Sequence, residues 1–250
     1  MHLLLTNDDG VFAPGLLALK RGLEPLGHEI TIVAPANNMS AVGHRKTLHK
    51  PLRLDLTTLA DGTTPAWSCS GSPADGVALA LKGFLTAPVD LVVSGINPNF
   101  NLAQDLTYSG TVTAAMEGVI AGIPAIAVST RARTLDDYAP AAEWARRVAE
   151  LCLRRGLPKG NLLNLNVPAQ PQGLKVTRQG QRIYHDVVVT REDPRGRPYY
   201  WIGGEEPTGE AVEGTDVWAV THGWASLTPL DLDLTAERLL GELQDYTDLG

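Results

Sequence analysis

The sequence predicts an α/β protein with a doubly wound, mainly parallel, Rossmann-like sheet, a C-terminal β-hairpin extension and a C-terminal helix. Short apolar runs of strand length alternate with longer helical segments over the first two thirds of the chain, as in βαβ units with right-handed crossovers. Several runs are apolar throughout, which is typical of parallel strands buried on both faces. We expect one domain over residues 1–250, with residues 170–210 as a projecting arm and residues 230–250 as a helical segment.

The elements of the first part alternate along the chain. Strands are predicted at about residues 2–6, 29–34, 47–56, 66–70, 90–94, 125–129 and 162–166. Helices are predicted between them at about residues 14–26, 72–85, 109–121 and 136–155. Pro14 suits the first turn of the first helix and Gly27 ends it, while Ser72 is the expected N-cap of the second helix.

The pattern changes after Pro168. Residues 174–203 alternate like strands around a charged turn containing Gly and Pro at 192–198, which predicts a hairpin. An isolated hairpin has little core of its own, so packing on a second subunit is its simplest stabilisation. A strand near residues 224–227 and a helix at about residues 235–246 complete the prediction.

The composition bounds the classes of protein that this chain represents. Hydrophobic residues make up 44% and charged residues 20%, which is typical of a globular protein with a sizeable core. The net charge of −7 argues against a nucleic-acid polymer as partner. Cys69 and Cys152 are too few for a disulfide framework and are expected in the core. Without a signal peptide or an apolar run of membrane-spanning length, we expect a cytoplasmic protein with no membrane contact.

Two adjacent carboxylates, Asp8 and Asp9, come directly after the first predicted strand. Ligands of open α/β sheets bind beyond the carboxyl ends of the strands, so we expect this pair at a functional site rather than in a solvated turn. Like charges this close repel, and both stay ionised only when a cation or several donors neutralise them. Carboxylate oxygens favour a hard divalent ion such as Mg²⁺, Mn²⁺ or Ca²⁺.

Polar loops at residues 34–44 and 94–101 also follow predicted strands and are expected at the same edge of the sheet. With the Asp pair they offer carboxylate, hydroxyl and carboxamide oxygens for a hard cation, and no His/Cys cluster has the spacing of a structural zinc site. The second loop leads to a Ser109-Gly110-Thr111 turn at the start of a helix. Free N–H groups there favour an anion, which predicts a phosphate cradle and metal-assisted phosphoryl hydrolysis.

Several other enzyme signatures are missing from the sequence. There is no GxGxxG after the first strand, no GxxxxGK[ST] and no GxSxG, so the dinucleotide, P-loop and α/β-hydrolase interpretations lack their motifs. No activated nucleophile with a paired base is evident. We therefore expect direct attack by water on phosphorus, with Asp8 or Asp9 orienting or deprotonating that water. Ser109 and the amides of Gly110 and Thr111, which form the predicted cradle, are expected to hold the phosphoryl oxygens.

Blocks of residues from the N-terminus to the last predicted helix resemble one family, in that family's order. They are Leu5-Thr6-Asn7-Asp8-Asp9-Gly10, Ala34-Pro35 with Ser40 and Gly43-His44, Gly71-Ser72-Pro73-Ala74-Asp75, Val93-Ser94-Gly95-Ile96-Asn97, Tyr108-Ser109-Gly110-Thr111-Val112, Ala114-Ala115-Met116-Glu117-Gly118, Gly214-Thr215-Asp216 and Ser226-Leu227-Thr228-Pro229-Leu230. Each block alone is weak, but their order is highly specific. They are similar to the SurE survival-protein nucleotidases, which are metal-dependent acid phosphatases acting on nucleoside monophosphates.

The resemblance implies a SurE-like fold and a 5'-nucleotidase that hydrolyses nucleoside monophosphates to nucleoside and phosphate. It implies that one divalent metal ion per subunit, Mg²⁺ or Mn²⁺, is held by Asp8, Asp9, Ser40 and Asn97. It also implies that Asn97 and the Ser109-Gly110-Thr111 turn face the substrate phosphate. The family further implies a homodimer or homotetramer in which the hairpin and the C-terminal helix are exchanged between subunits.

The chain departs from the family in the loop after Asn97. Asn99 and Ala103 stand where the family usually has glycines, and Gln104 stands where it has an acidic residue. Glycine allows backbone conformations that other residues rarely adopt, so a stiffer or differently shaped loop is expected here. The substitutions therefore bear on substrate preference more than on the reaction.

Parts of the sequence are compatible with three alternatives to a nucleotidase. Residues 16–33 resemble the opening of sugar-nucleotide glycosyltransferases, but this is a fold-level analogy, and such an enzyme needs a second full α/β domain. A haloacid-dehalogenase-like phosphatase needs a spacer between its two aspartates, which the pair Asp8-Asp9 lacks. A non-enzymatic nucleotide-binding regulator stays open and is distinguished by binding without turnover.

Overall fold

The structure, a computed structural model, describes residues 1–210 and 212–244. A central sheet is covered on both faces by helices, and a separate hairpin projects from it. Its strands are β1 (His2–Thr6), β2 (Glu29–Pro35), β3 (Leu54–Thr58), β4 (Pro65–Cys69), β5 (Leu91–Asn97), β6 (Ala125–Thr130), β7 (Asn161–Val167), β8 (Leu174–Val176), β9 (Arg182–Glu192), β10 (Pro198–Gly209) and β11 (Ala225–Asp231). Its α-helices are α1 (Pro14–Leu23), α2 (Pro73–Leu79), α3 (Gly110–Ile120), α4 (Ala139–Arg155), α5 (Asp216–Thr221) and α6 (Glu237–Leu240).

The strand order confirms a doubly wound, mainly parallel sheet. Nine strands follow the order β3-β4-β2-β1-β5-β6-β7-β11-β8. Strand β1 is parallel to both of its neighbours, β2 and β5, while β3 and β11 run antiparallel to β4 and β7. The chain winds outward from β1 on both sides, so the carboxyl end of β1 is the switch point at which open α/β sheets bind ligands.

The apolar run of β1 supplies both layers of the core. Leu3 and Leu5 face a cluster that includes helices α1 and α4, whereas Leu4 faces the cluster of α2 and α3. All three leucine side chains are fully buried. Alternation of side chains across a strand explains why a strand covered on both faces is apolar at every position.

Most predicted elements of the first part are confirmed, with some shifted ends. The first helix is α1 followed by a 3-10 turn at Glu24–Leu26, and Gly27 adopts a left-handed conformation after it. Ser72 caps α2, because its hydroxyl accepts a hydrogen bond from the Asp75 N–H at 3.1 Å. Strand β5 runs three residues past its predicted end, to Asn97.

The strand predicted at residues 47–56 is wrong over its first part, because β3 begins only at Leu54. Part of the preceding loop bonds to the start of α2, whereas the Arg53 carbonyl, next to β3, accepts from the Ser70 N–H after β4 at 3.0 Å. The Thr47 N–H donates to Asp75 Oδ1 at 2.9 Å, and the Arg45 carbonyl accepts from the Ser72 hydroxyl at 2.6 Å. The apolar–polar alternation of this stretch does not mark a buried face, since Leu48 is 92% exposed.

The C-terminal part contains a hairpin, as predicted, and one helix that was missed. The predicted arm begins too early, because residues 174–176 form β8 in the central sheet and the hairpin begins only at Arg182. Strands β9 and β10 pair antiparallel, with Pro198 opposite Glu192 at the turn. Helix α5 has Thr215 as its N-cap, a signal that local reading of the sequence could have found. The helix predicted at 235–246 is shorter in the described residues, where only α6 forms; residues 245 and 246 lie outside them. No helix of the described chain is long and apolar enough to cross a membrane.

Candidate metal and phosphate site

The Asp pair lies in a tight loop at the carboxyl end of β1. The Asn7 side chain closes the loop, donating to the Gly10 carbonyl at 3.0 Å and accepting from the Gly10 N–H at 3.3 Å. The neighbouring loop after β2 joins it, because the Met39 N–H donates to the Asp8 carbonyl at 2.7 Å. Asp8 and Asp9 are thus held at the switch point of the sheet.

Asp8 is buried against the start of α3. The Thr111 hydroxyl donates to Asp8 Oδ1 at 2.5 Å. Burial raises the pKa of Asp8, although this hydrogen bond and the backbone N–H groups of Gly110 and Thr111 favour its charged form. The start of α3, predicted as a phosphate cradle, therefore directs Gly110 and Thr111 toward the Asp8 carboxylate.

Asp9 is half-buried beside Asp8. Burial and, next, the charge of Asp8 raise the pKa of Asp9 to about 7. Two adjacent carboxylates whose ionisation is opposed by burial and repulsion form a site that a cation would stabilise. Within the described residues, no three His, Cys, Asp or Glu side chains come together as a metal cluster.

A cavity of about 250 Å³ brings together the catalytic and metal-ligand residues that were predicted from the sequence. These are Asp8, Asp9, Ser40, Asn97 and Ser109. Gly110 and Thr111 do not line this cavity. Gly110 lies against the Asp8 side chain, and the Thr111 hydroxyl donates to the Asp8 carboxylate. The carboxylate, hydroxyl and carboxamide oxygens expected for a hard cation therefore share one cavity.

The two neutral candidate ligands hold their own loops in shape. The Ser40 hydroxyl donates to Asn38 Oδ1 at 2.7 Å. The Asn97 amide donates to the Asn99 carbonyl at 2.6 Å, which leaves the Asn97 carboxamide oxygen as its atom for a ligand. Asn97 stands at the irregular end of β5, where the register with β6 shifts after Ser94.

Ser109 is the N-cap of α3 and also faces the cavity. Its Oγ accepts the Val112 N–H at 3.1 Å, so the ordinary capping role is confirmed. Its hydroxyl proton is still able to donate to a group in the cavity. The residue can therefore serve as helix cap and phosphoryl contact at once.

Sequence reasoning missed a buried asparagine network beneath the loop after Asn97. The Asn101 carbonyl accepts from the side chains of Asn164 and Asn166, both at 2.9 Å, and the Asn101 side chain donates to the Ser129 hydroxyl at 2.8 Å. Asn164 and Asn166 are fully buried in β7. Two asparagines within an otherwise apolar strand were the available signal, since buried polar groups need partners.

The loop that closes the cavity is also tied to the hairpin. Asp105 lines the cavity, and its carboxylate contacts Arg182 Nε at 2.9 Å and accepts from the Tyr184 hydroxyl at 2.6 Å. The Arg182 N–H donates to the Gln104 side chain at 2.8 Å. The base of β9 therefore contacts the candidate site directly.

This geometry agrees with comparisons to known proteins. The model of the family described as "Survival protein SurE" matches residues 3–186 of the chain. The chain belongs to the SurE family. The crystal structure of the SurE protein from Aquifex aeolicus superposes on this SurE chain with a TM-score of 0.83 and 41% sequence identity, covering 99% of this chain and 100% of the other.

Several proteins with similar sequences are named as 5'-nucleotidases. The "5'-nucleotidase SurE" of Chloroflexus aggregans is 52% identical over 253 residues, covering 98% of this SurE chain and 99% of its own. The "5'-nucleotidase SurE 1" of Thermus thermophilus is 50% identical, covering 97% of this chain and 96% of its own. The likeness thus extends over nearly the whole of each protein.

Proposed function

We propose that this SurE protein is a metal-dependent 5'-nucleotidase that hydrolyses nucleoside monophosphates to nucleoside and phosphate. The single observation that carries the proposal is the shared cavity in which the Asp8 and Asp9 carboxylates meet Ser109 at the start of α3. Relatives named 5'-nucleotidase, similar over nearly their whole length, support the same reaction.

The residues present fit one divalent ion per subunit, Mg²⁺ or Mn²⁺. The proposed ligands are Asp8, Asp9, Ser40 and Asn97, which line the same cavity. Hard cations prefer such oxygen ligands, and a cation would offset the repulsion between the two adjacent carboxylates. When bound, the ion supplies positive charge and Lewis acidity at the phosphate.

The residues around the cavity have separate proposed roles in activating water and in binding the phosphoryl group. Asp8 or Asp9 orients the attacking water and accepts its proton. Asn97 and Ser109 bind the phosphoryl oxygens and stabilise the negative charge that builds on them. Gly110 and Thr111 remain proposed phosphate contacts through their amides, and they also hold Asp8 in place. No protein nucleophile takes part, so the phosphoryl group passes directly to water.

The hairpin arm supports a homodimer or homotetramer. Its side chains include exposed apolar groups, with Val188 66%, Trp201 64% and Ile202 80% exposed. Exposed patches of this kind mark protein–protein contacts, and a two-stranded hairpin is marginal alone. We propose that each subunit is a single domain and that its projecting hairpin packs on a neighbouring subunit. The cytoplasmic location stays a prediction of the sequence.

A phosphate-release screen tests the proposed function. The full chain is assayed with nucleoside 5'- and 3'-monophosphates, polyphosphate and p-nitrophenyl phosphate, each with Mg²⁺ or Mn²⁺. We expect release from nucleoside monophosphates that depends on the added metal. Tight nucleotide binding without any phosphate release would instead identify a regulator and refute the proposal.

A further inference from the structure

One carboxylate outside the cavity is buried and fully engaged by a loop. Glu117 lies on α3 with a side chain that is 2% exposed. Its Oε2 contacts His44 Nε2 at 3.1 Å, and its Oε1 contacts the Lys46 ammonium. Both partners belong to the segment between β2 and β3, which also carries Ser40.

This segment lies along a single face of α3. Ser109, Thr113 and Glu117 are spaced by four residues, so they line the same side of the helix. The Thr113 hydroxyl lies 3.0 Å from the Gly43 carbonyl and 2.8 Å from the Ser109 carbonyl, either of which can accept its proton. The Gly43 N–H donates to the Tyr108 carbonyl at 3.0 Å. The face that begins at the cavity with Ser109 therefore ends at the Glu117 contacts.

Residues 36–53 contain no helix or strand in the described structure, so their position depends on contacts of this kind. Burying a carboxylate is costly, and a well-packed apolar side chain usually stabilises a protein as much or more. In some proteins, a buried ion pair instead gives conformational specificity, because it favours a single arrangement of the groups that it joins.

We propose that Glu117 is a positioning residue. Its contacts with His44 and Lys46 hold residues 39–47 against α3, and this keeps the Ser40 hydroxyl beside the Asp8 and Asp9 carboxylates. This inference rests on the proposed role of Ser40 as a metal ligand. Glu117 itself does not line the cavity and acts only through the loop.

A double-mutant cycle between Glu117→Gln and Ser40→Ala tests the proposal. The readouts are the affinity for Mn²⁺ alone, measured by calorimetry, and kcat and KM for AMP. We expect Glu117→Gln to weaken Mn²⁺ binding and lower kcat/KM by about tenfold, a typical coupling between interacting residues. Adding it to Ser40→Ala should change either quantity by less than about twofold, because the hydroxyl that it positions is already gone.

Glu143→Gln is the matched control, because Glu143 is a surface carboxylate on α4 that pairs with Arg146 and Arg147. It should leave Mn²⁺ affinity and kcat/KM unchanged. Lys46→Gln removes the same contact from the side of the loop. If Glu117→Gln fails to fold, the Lys46→Gln variant tests the positioning role instead. It should couple to Ser40→Ala in the same way.

The outcomes separate this inference from the proposed function. Additive effects in the cycle, or wild-type behaviour of Glu117→Gln, overturn the positioning role alone. Wild-type Mn²⁺ affinity in Ser40→Ala refutes Ser40 as a ligand and removes the inference with it. Absence of hydrolysis of every nucleoside monophosphate in the screen by the wild type refutes the proposed function, while the Mn²⁺ cycle still decides the positioning role.

Discussion

Gly110 lies directly against Asp8, so that a Cβ on Gly110 would stand 2.6 Å from the Asp8 Cβ and 2.8 Å from Asp8 Oδ2. Real Cβ atoms do not approach this closely, and only glycine lets the start of α3 reach the carboxylate. The contact joins the first strand to a helix that follows a hundred residues later in the chain. It brings together the proposed metal and phosphate contacts.

Gly110→Ala should therefore damage the site without unfolding the protein. The added methyl forces Asp8 or the helix start to move, and a displacement of about 1 Å at reacting groups costs up to about 10²-fold in rate. We expect kcat/KM for AMP to fall strongly. Lys159→Ala, at an exposed position just before the amino end of β7, is the control and should be neutral. Unchanged activity of Gly110→Ala would show that the close approach is not needed.

Activity should require a divalent cation held by Asp8 and Asp9. Treatment with EDTA, Asp8→Asn or Asp9→Asn should each remove most turnover while far-UV circular dichroism stays native. Mn²⁺ should restore the treated wild type but not the variants. Asp90→Asn is the control, since Asp90 lies at the opposite end of β5, bonded to the His2 N–H at 2.7 Å. Full activity in EDTA, or in either variant, contradicts the assignment.

Ser109→Ala and Asn97→Ala should have different effects. Losing a donor to the developing charge typically costs about 10²–10³ in rate, so Ser109→Ala should lower kcat while Mn²⁺ affinity stays near that of the wild type. Asn97→Ala should lower both, because Asn97 is also a proposed metal ligand. Thr215→Ala, which removes the cap of α5, should cost about 1 kcal/mol of stability without the loss of kcat. Equal effects of both cavity variants would argue against this division of roles.

Excising residues 187–203 should disrupt the oligomer. Asp186 and Gly204 lie opposite each other in the hairpin, so a two-residue Asn-Gly turn can join them without shifting the register. Sedimentation velocity should show a smaller assembly than the wild type, whereas Arg195→Ala in the tip turn should not change it. A monomeric wild type at micromolar concentration would disprove the intersubunit role of the arm.

Single-turnover hydrolysis in ¹⁸O-labelled water should place the label in phosphate on the first turnover. Direct attack by water forms the new P–O bond from solvent oxygen and expels the nucleoside oxygen as the leaving group. Acid quenching followed by mass spectrometry should find no phosphorylated residue. A phospho-enzyme trapped at Ser109, Asp8 or any other side chain would establish a covalent route instead.

Local patterns in the sequence determined the succession of strands and helices and the position of the Asp pair. The apolar run of β1 predicts a strand buried on both faces, and Ser72 and Ser109 predict the starts of α2 and α3. These elements can be predicted from the sequence because hydrophobic periodicity and helix capping depend on residues that are neighbours in the chain.

The tertiary structure decided which of these local features meet. The bond from Thr111 to Asp8 spans 103 positions, and the contact of Glu117 with His44 spans 73. Residues 47–53 alternate like a strand, yet no strand forms there, and the Thr47 N–H donates to the Asp75 side chain at the start of α2. Each of these partners is set by strand order and by helix packing across the sheet, and no local periodicity encodes a pairing between segments so far apart.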